Sequence, residues 1–400
     1  MKLIIKPVIK SNICVRVHPI GCRENVKRQI DHVKKEGHFE GPKKALIVGG
    51  SSGYGLASRI ALAFGAGTET VNVSFEIPPK GSSKTGTAGW WNNVYFQQFA
   101  KEAGLSCKDF VGDAFSKEMK DQVLTYLKEK VGKIDLLVYS LASNRRTDPK
   151  DGVTYSSVLK SIGEEVRGYT IDINNLSLKE EVMETATEDE IQSTIKVMGG
   201  EDWQWWVELL DEAGLLADGF KTIAYTYLGS EATYAIYSDG TIGQAKKHLE
   251  MSAEKMTKEL KEKYDGEALI SSSKAIVTKA SIYIPIFPVY GAVLYKVMKE
   301  MGTHEGEIEQ KYRLFKDMIY GDKRITDVKG RIRPDNLEME EDVQEEVARL
   351  MATVNNDNIQ EKTDIKGFVE DFLRINGFCF DTVDYEADVD LEELAKLPLE

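Results

Sequence analysis

The sequence predicts an α/β fold built on a doubly wound parallel sheet, and three observations carry that expectation. Apolar runs of strand length recur at 45–49, 70–76, 106–111, 134–140, 220–226 and 268–273. Stretches with helical spacing separate them, at 55–64, 90–103, 116–131, 241–263 and 288–301. A glycine-dense turn joins the first strand to the first of those helices. Strands alternating with helices bury both faces of a parallel sheet.

The first strand is Ala45 to Val48, and the turn after it holds Gly49, Gly53 and Gly55. Each glycine answers a physical need. One permits the tight turn, one lets a pyrophosphate approach the backbone, and one lets helix and strand pack closely. Strand, glycine turn and helix together aim free N–H groups and a helix dipole at a phosphate. The fold expected is therefore Rossmann-like, of the short-chain-reductase type. Gly49, Gly50, Ser51, Ser52, Gly53 and Tyr54 form the expected cradle. Arg59 is read as a further positive charge for the phosphate.

The other elements are decorations on that sheet. Residues 1–44 read as small β segments (Leu3 to Val8, Ile13 to Val17) and a helix (Glu24 to Lys35). Between about 144 and 200 the pattern breaks. Tyr169 to Ile173 and Leu176 to Val182 suggest a hairpin with a tight Asn174-Asn175 turn. Beyond 301 the chain is charge-rich and mostly helical, with a short hairpin or loop at ITDVKGRIRPDNLEM. The whole, 1–400, is read as one large decorated domain. Its parts are an N-terminal extension (1–44), a cofactor-binding half (45–143) and an insertion with substrate-covering helices (144–219). A catalytic half (220–300) and a helical C-terminal extension (301–400) complete it.

At 42% apolar and 29% charged residues the chain can build a large core. Its net charge of −13 argues against nucleic acid, which needs clustered surplus Lys and Arg. Cys14, Cys22, Cys107 and Cys379 show no CxxC or zinc spacing, and the five histidines are scattered, so no metal site is expected. Free thiols suit a reducing cytoplasm. MKLIIKPVIK has too short an apolar run for a signal peptide. Ala280 to Val297, with Pro285, Pro288, Lys279 and Lys296, reads as a pocket or core helix and not a membrane span.

Carboxyl ends of parallel strands are where such sheets bind ligands. Phe75-Glu76 closes the second strand, and an acidic residue there accepts hydrogen bonds from adenosine ribose hydroxyls and repels a 2′-phosphate. NADH is expected over NADPH, with Lys80 and Lys84 nearby to soften the preference. Asp113, beside Ala114, is placed for the adenine amino group. The fourth strand ends at Ser140-Leu141-Ala142-Ser143, and small residues at that end let the second ribose lie against the backbone. Ile276, Val277 and Thr278 on the last strand offer backbone groups to the carboxamide.

The segment 222–250 carries the chemistry. Tyr237 and Lys246 form a Tyr-x8-Lys pair. A phenol with a pKa near ~10 is a poor acid unless a cation or ribose hydroxyl stabilises its phenolate. At about 100° per residue, that spacing puts the two side chains on opposite faces of a continuous helix. They converge only if the helix breaks. Ser238-Asp239-Gly240 supplies a break, with Thr241 read as the N-cap of the second helix. Tyr227 is the second candidate to meet the substrate carbonyl. Tyr225 and Tyr234 are read as packing residues. Asp202, Trp203, Trp205 and Trp206 open a helix after Gly199-Gly200, and their rings are candidates for an acyl-pocket wall, against the commoner use in core packing.

With these residues located, the chain resembles the trans-2-enoyl-CoA reductase family, which includes the single-chain bacterial type-V enoyl-ACP reductases. It is most similar to the clostridial-type members. The likeness runs through HPIGC (His18 to Cys22), GGSSGYGLASR (Gly49 to Arg59), TAGWWNN (Thr87 to Asn93), DLLVYSLAS, KVMGGEDW (Lys196 to Trp203) and YTYLG…YSDGTIGQAK. It continues through IVTKAS, KVMKE and HEG (His304 to Gly306). Two positions depart from the family pattern: Gly50, where relatives often carry Ala or Cys, and Trp91, where they often carry Tyr. The resemblance implies a monomeric, NADH-dependent reduction of the C2=C3 bond of a short 2-enoyl-CoA such as crotonyl-CoA. It implies Tyr237 as proton donor, Lys246 on the cofactor and Tyr227 on the substrate carbonyl. Acyl carrier protein is the alternative carrier. FAD, sometimes assigned to the C-terminal part of the family, is not expected. Two rivals remain open at this point: a ketoreductase, disfavoured by the long Tyr–Lys spacing, and a non-catalytic NAD-binding regulator.

Overall fold

The computed structural model of the chain describes all residues except 1, 11, 12, 82, 279, 280, 282, 283, 285 and 400. Lys279, Ala280 and Pro285, read above as part of a pocket or core segment, lie outside the described residues.

Six parallel strands form the central sheet: β1 (Lys44–Val48), β2 (Glu69–Ser74), β3 (Cys107–Val111), β4 (Ile134–Tyr139), β5 (Leu216–Thr226) and β6 (Glu267–Ser272). Their spatial order is β6-β5-β4-β1-β2-β3. This is the doubly wound order whose reversal, between β1 and β4, opens a crevice at the carboxyl ends of both strands. The alternation of side chains along each strand explains the two covered faces. Ala45, Ile47, Leu136, Val138, Ile223 and Leu269 share one cluster with helices α1 (Pro19–Glu36), α2 (Gly53–Ile60) and α3 (Ala88–Glu102). Leu46, Val48, Leu137, Tyr139, Ala224 and Ile270 share another with α4 (Lys117–Tyr126), α6 (Glu201–Glu212) and α8 (Thr241–Tyr264).

Several expected elements come out differently. Helix α1 begins at Pro19, ahead of Glu24, because His18 caps it: its ring nitrogen accepts from the Gly21 amide at 3.2 Å. The N-terminal strands are short. Lys2–Leu3 pairs with Val389–Asp390, and Ile9–Lys10 pairs with Ile13–Cys14. The inserted hairpin, Val166–Asp172 with Ser177–Met183, has a four-residue loop and not a two-residue turn. Asp172 shapes it by accepting from the Asn174 and Asn175 amides at 2.9 and 3.2 Å. The ITDVKGRIRPDNLEM patch is both hairpin and sheet edge. Thr326 bridges Ile332, and Ile332 bridges Ser271 in parallel beside β6.

Arg59 is not at the phosphate turn. It is fully buried beneath β2 and β3, where it donates bidentately to Asp109 at 2.7 and 2.9 Å. Asn72 and Gln97 also donate to Asp109, at 2.8 and 2.7 Å. The helical phase of α2 turns Arg59 inward, so its charge serves the core. No helix among the described residues is long and apolar enough to cross a membrane. Helix α9 (Phe287–Met301) is instead a core helix, packed against α11 (Glu341–Met351) and α13 (Ile365–Arg374).

Breaking the buried pair strands the arginine's charge. Asp109→Ala is expected to lose about 3–5 kcal/mol of stability, read as a lowered urea midpoint. A midpoint equal to the parent's refutes this reading of Arg59.

Candidate active site

The nucleotide end of the site lies where β1 and β4 finish. Gly49 has φ +94°, and a Cβ there would overlap the Ser140 carbonyl oxygen. A Cβ on Gly55 would overlap the Gly49 carbonyl. The first contact seats the turn against the end of β4, and the second clamps α2 onto the turn. Gly53 differs: its φ is +51°, and the nearest atom a Cβ would meet is Thr278 Cγ2 at 4.0 Å. The space in front of Gly53 is open. Gly50 donates its amide to Asn72 Oδ1 at 2.9 Å, and a Cβ at Gly50 would press on that same oxygen.

Glu76 is held on the rim of this turn. Ser51 Oγ donates to its carboxylate at 2.6 Å, and Thr87 donates to the other oxygen. The carboxylate rests on Gly89, where a Cβ would overlap it. Phe75 beside it is 73% exposed. Asp113 is exposed and accepts from the Phe115 amide at 2.9 Å. Leu141 is half-buried and Ala142 exposed. The cradle, Glu76, Asp113 and Leu141-Ala142 thus stand at strand ends as expected.

Ile276 to Thr278 do not lie on a strand, because β6 ends at Ser272. They belong to a connection that crosses toward the glycine turn, and Thr278 reaches Gly53. Several of its backbone groups are engaged internally. The Val277 amide donates to the Tyr295 hydroxyl at 3.3 Å, the Thr278 amide donates to Ser281 Oγ at 2.8 Å, and Ser281 Oγ donates to the Ile276 carbonyl at 3.1 Å.

The chemical end lies beyond β5. Helix α7 (Tyr234–Tyr237) stops at Ser238, and α8 starts anew at Thr241 with Gly240 as its N-cap. Thr241 is therefore the first helical residue and not the cap. Its amide donates to the Lys160 carbonyl at 3.0 Å, and its hydroxyl to the Val158 carbonyl at 2.6 Å. The break is tied to the inserted segment. A Cβ on Gly243 would overlap the Ser238 carbonyl, so a larger residue does not fit the bend.

The break sets Tyr237 against Tyr227, with ring centroids 4.6 Å apart and edge-on, and Phe287 lies 6.0 and 6.2 Å from the two rings. Lys246 donates to the Tyr225 carbonyl at 3.1 Å, two residues before Tyr227 on β5. Burial lowers the Lys246 pKa to about 8. Burial pushes the Tyr237 phenol well up, and the Glu338 carboxylate adds to the rise. Tyr227 is raised for the same two reasons.

The Tyr227 hydroxyl donates to Glu338 at 3.0 Å. That hydrogen bond takes the proton assigned above to the substrate carbonyl. Glu338 was invisible to sequence reasoning. It sits in an irregular stretch far along the chain, and no motif marks it. Tyr225 packs as expected, with its hydroxyl 2.5 Å from Ser58 Oγ. Tyr234 does not pack, being 44% exposed. Trp203 and Trp206 are buried in the core under the sheet, and Asp202 is paired with Lys120 at 2.7 Å. Trp91 is also core, donating to the Thr85 carbonyl at 2.6 Å.

A doubly wound sheet, a glycine cradle at its switch point and a Tyr–Lys pair beyond β5 define a dinucleotide-dependent reductase. The comparisons with known proteins narrow this. A family model described as the catalytic region of trans-2-enoyl-CoA reductase matches residues 84–320, and one described as its NAD(P)H-binding domain matches 4–81. The trans-2-enoyl-CoA reductase [NADH] of Clostridium beijerinckii is 49% identical, covering 99% of this chain and 100% of its own. An enoyl-[acyl-carrier-protein] reductase [NADH] of Methylobacillus flagellatus is 50% identical, covering 98% of each. The crystal structure of the Clostridium acetobutulicum trans-2-enoyl-CoA reductase with NADH superposes with a TM-score of 0.96 at 48% identity, covering 99% of this chain and 100% of that one. The chain belongs to the trans-2-enoyl-CoA reductase family.

A third model, described as an enoyl reductase FAD-binding domain, matches residues 326–389. Among the described residues of that stretch, several charged side chains are engaged with one another. The arginines are already paired: Arg331 with Glu250 and Asp327, Arg333 with Asp335, Arg374 with Asp371. Gly377 packs on the backbone of His18 and Cys22. The neighbouring cavity, about 340 Å³, has Asp384, Asp388, Asp390 and Glu393 in its lining beside His18, Ile20 and Leu394.

Gly53→Ala probes the cradle cleanly. The left-handed φ costs alanine about 1–2 kcal/mol, and no packed atom is displaced. The chain should remain folded while its NADH Kd rises about tenfold, about 1.4 kcal/mol of binding, in a fluorescence titration. An unchanged Kd places the diphosphate elsewhere.

Proposed function

We propose that this chain reduces the C2=C3 bond of a short-chain trans-2-enoyl-CoA with NADH, working as a single chain in the cytoplasm. The observation that carries this reading is Tyr237, a protonated phenol set edge-on against Tyr227 at the end of β5 after the helix breaks at Ser238–Gly240, with Lys246 of the next helix donating to the Tyr225 carbonyl. Membership of the family and the relatives named above support the substrate class. The four free cysteines suit a reducing compartment.

Gly49 to Tyr54 would hold the diphosphate on the N-terminus of α2, where unpaired amides and the helix dipole favour negative charge. Glu76 would accept from the adenosine ribose, already oriented by Ser51 and Thr87. Phe75 and Asp113 flank the adenine, and Leu141-Ala142 and Ile276 to Thr278 the nicotinamide half. Bound NADH supplies the hydride that C3 of the substrate accepts. Lys246 holds the cofactor with its ammonium.

Tyr237 does the work at the thioester oxygen. Burial and Glu338 keep its proton on the phenol at neutral pH. The phenol therefore enters as a hydrogen-bond donor, stabilises the charge that builds on that oxygen and supplies or relays the proton to the enolate. A placed donor at a developing oxyanion is worth about 10²–10³ in rate.

Acyl carrier protein is the second carrier to test, because 50%-identical relatives bear the name enoyl-[acyl-carrier-protein] reductase. NADH oxidation with C4 to C12 enoyl-CoAs and one enoyl carrier protein separates the two. Acetoacetyl-CoA, assayed alongside, tests the ketoreductase rival. NADH binding with no oxidation on any of them leaves the regulator reading standing.

Tyr237→Phe should lower kcat by about 10²–10³ and leave the NADH Kd unchanged. An unchanged kcat removes Tyr237 from the chemistry. Lys246 is charged below its pKa of about 8 and neutral above it. NADH binding to the free protein should therefore weaken as pH rises through 8, and Lys246→Met should flatten that step. A parent profile that is flat through this range contradicts the role given to Lys246.

A further inference from the structure

Glu338 is a carboxylate with no exposed surface, set among phenols in the site. Its Oε1 accepts from the Tyr227 hydroxyl at 3.0 Å and from the Tyr290 hydroxyl at 2.8 Å. Its Oε2 accepts from the Ala275 amide at 2.6 Å. Gln344 closes the cluster by donating to the Tyr290 hydroxyl at 3.2 Å and to the Glu338 carbonyl at 2.6 Å. Burial raises the Glu338 pKa, and the charge of Lys274 opposes that rise.

The segment bearing Glu338 is itself pinned. Ile332 exchanges backbone hydrogen bonds with Ile270 and Ser272 at 2.9 Å each, and Ser272 Oγ donates to Asp335 at 2.7 Å. The carboxylate is thus delivered by the C-terminal segment to a fixed place beside the β5 phenols. A hydroxyl has one proton to donate. Tyr227 gives its proton to Glu338, whereas the Tyr237 hydroxyl has no hydrogen-bond partner among the described residues.

We propose that Glu338 is a positioning residue for the reduction: by binding the Tyr227 hydroxyl it locks that ring edge-on against Tyr237 and leaves Tyr237 as the phenol of the pair whose proton is free for substrate. The job given to the C-terminal segment is to complete the reductase site from the far end of the chain. A buried carboxylate holding three donors is costly to build unless its donors are fixed. Here they are two phenols on packed elements and one backbone amide. The lock acts through one atom, the Tyr227 hydroxyl oxygen, so removing that atom removes the effect of Glu338 on rate. The proposal rests on enoyl-thioester reduction being the activity.

The test is a double-mutant cycle on crotonyl-CoA reduction in the full-length chain, using Glu338→Gln, Tyr227→Phe and the pair, with NADH Kd and thermal midpoint measured on each. Each single change should lower kcat about tenfold, and the pair should also be lower by about tenfold and not about a hundredfold, since residues acting as a unit are not additive. NADH Kd should not move. Multiplying kcat losses, or a Glu338→Gln chain with parental kcat, overturns the proposal. Loss of thermal stability with no change in kcat also overturns it, since that marks a purely structural carboxylate. Where Glu338→Gln fails to fold, Glu338→Asp, which keeps the charge but withdraws it from the Tyr227 hydroxyl, replaces it in the same cycle: a kcat for Tyr227→Phe equal to that of the new pair supports the lock and a further tenfold loss refutes it. An unsubstituted chain that turns over no enoyl thioester overturns the activity and the lock together, and an active one with multiplying losses overturns the lock alone.

Discussion

The constraint on which the site depends is the interrupted helix at Ser238–Gly240. Tyr237 ends one helical turn, Lys246 lies inside the next helix, and a continuous helix would face them apart. The bend is enforced from both sides. Gly243 admits the Ser238 carbonyl where any side chain would collide with it, and Thr241 is strapped to Val158 and Lys160 of the insertion. The insertion between β4 and β5 therefore does more than cover the sheet. Its backbone carbonyls take the hydrogen bonds that orient the start of α8, and through it the lysine.

A second theme is burial of charge. Lys246, Lys274 and Lys311 all have lowered pKa values, chiefly from burial. Lys311 sits 4.2 and 3.9 Å from the ring centroids of Tyr54 and Tyr225 and donates to Ser273 Oγ at 2.6 Å. Aromatic faces and hydroxyls thus stand in for carboxylates under the nucleotide turn. The turn and the phenols are also joined through one stretch of backbone. Tyr54 donates to the Lys274 carbonyl, the next amide, Ala275, donates to Glu338, and Glu338 binds Tyr227. The glycine cradle and the chemical end share a support that a rigid fold needs if hydride and proton are to meet the same substrate.

Local signals made much of this legible in the sequence. Short apolar runs located the six strands, because parallel strands buried on both faces leave little room for polar residues. The glycine turn and the helix break between Tyr237 and Lys246 were legible because their constraint is steric and lies within a few residues. What escaped was set by distant partners. Arg59 reads as a phosphate ligand until its core partner Asp109 is known. Thr241 reads as a cap until the carbonyls of Val158 and Lys160 are seen. Ile276 to Thr278 read as a strand because they are apolar, yet β6 stops at Ser272. Glu338 lies 111 positions from Tyr227, and the sheet-edge pairing of Ile332 helps to bring the two together.

The most direct measurement is a crystal structure of the chain with NAD and crotonyl-CoA bound. The account predicts the Tyr237 hydroxyl within about 2.6–3.2 Å of the thioester oxygen, Lys246 on the cofactor at the same side, and Tyr227 still bonded to Glu338. A thioester oxygen met by another donor, with Tyr237 turned away, contradicts it.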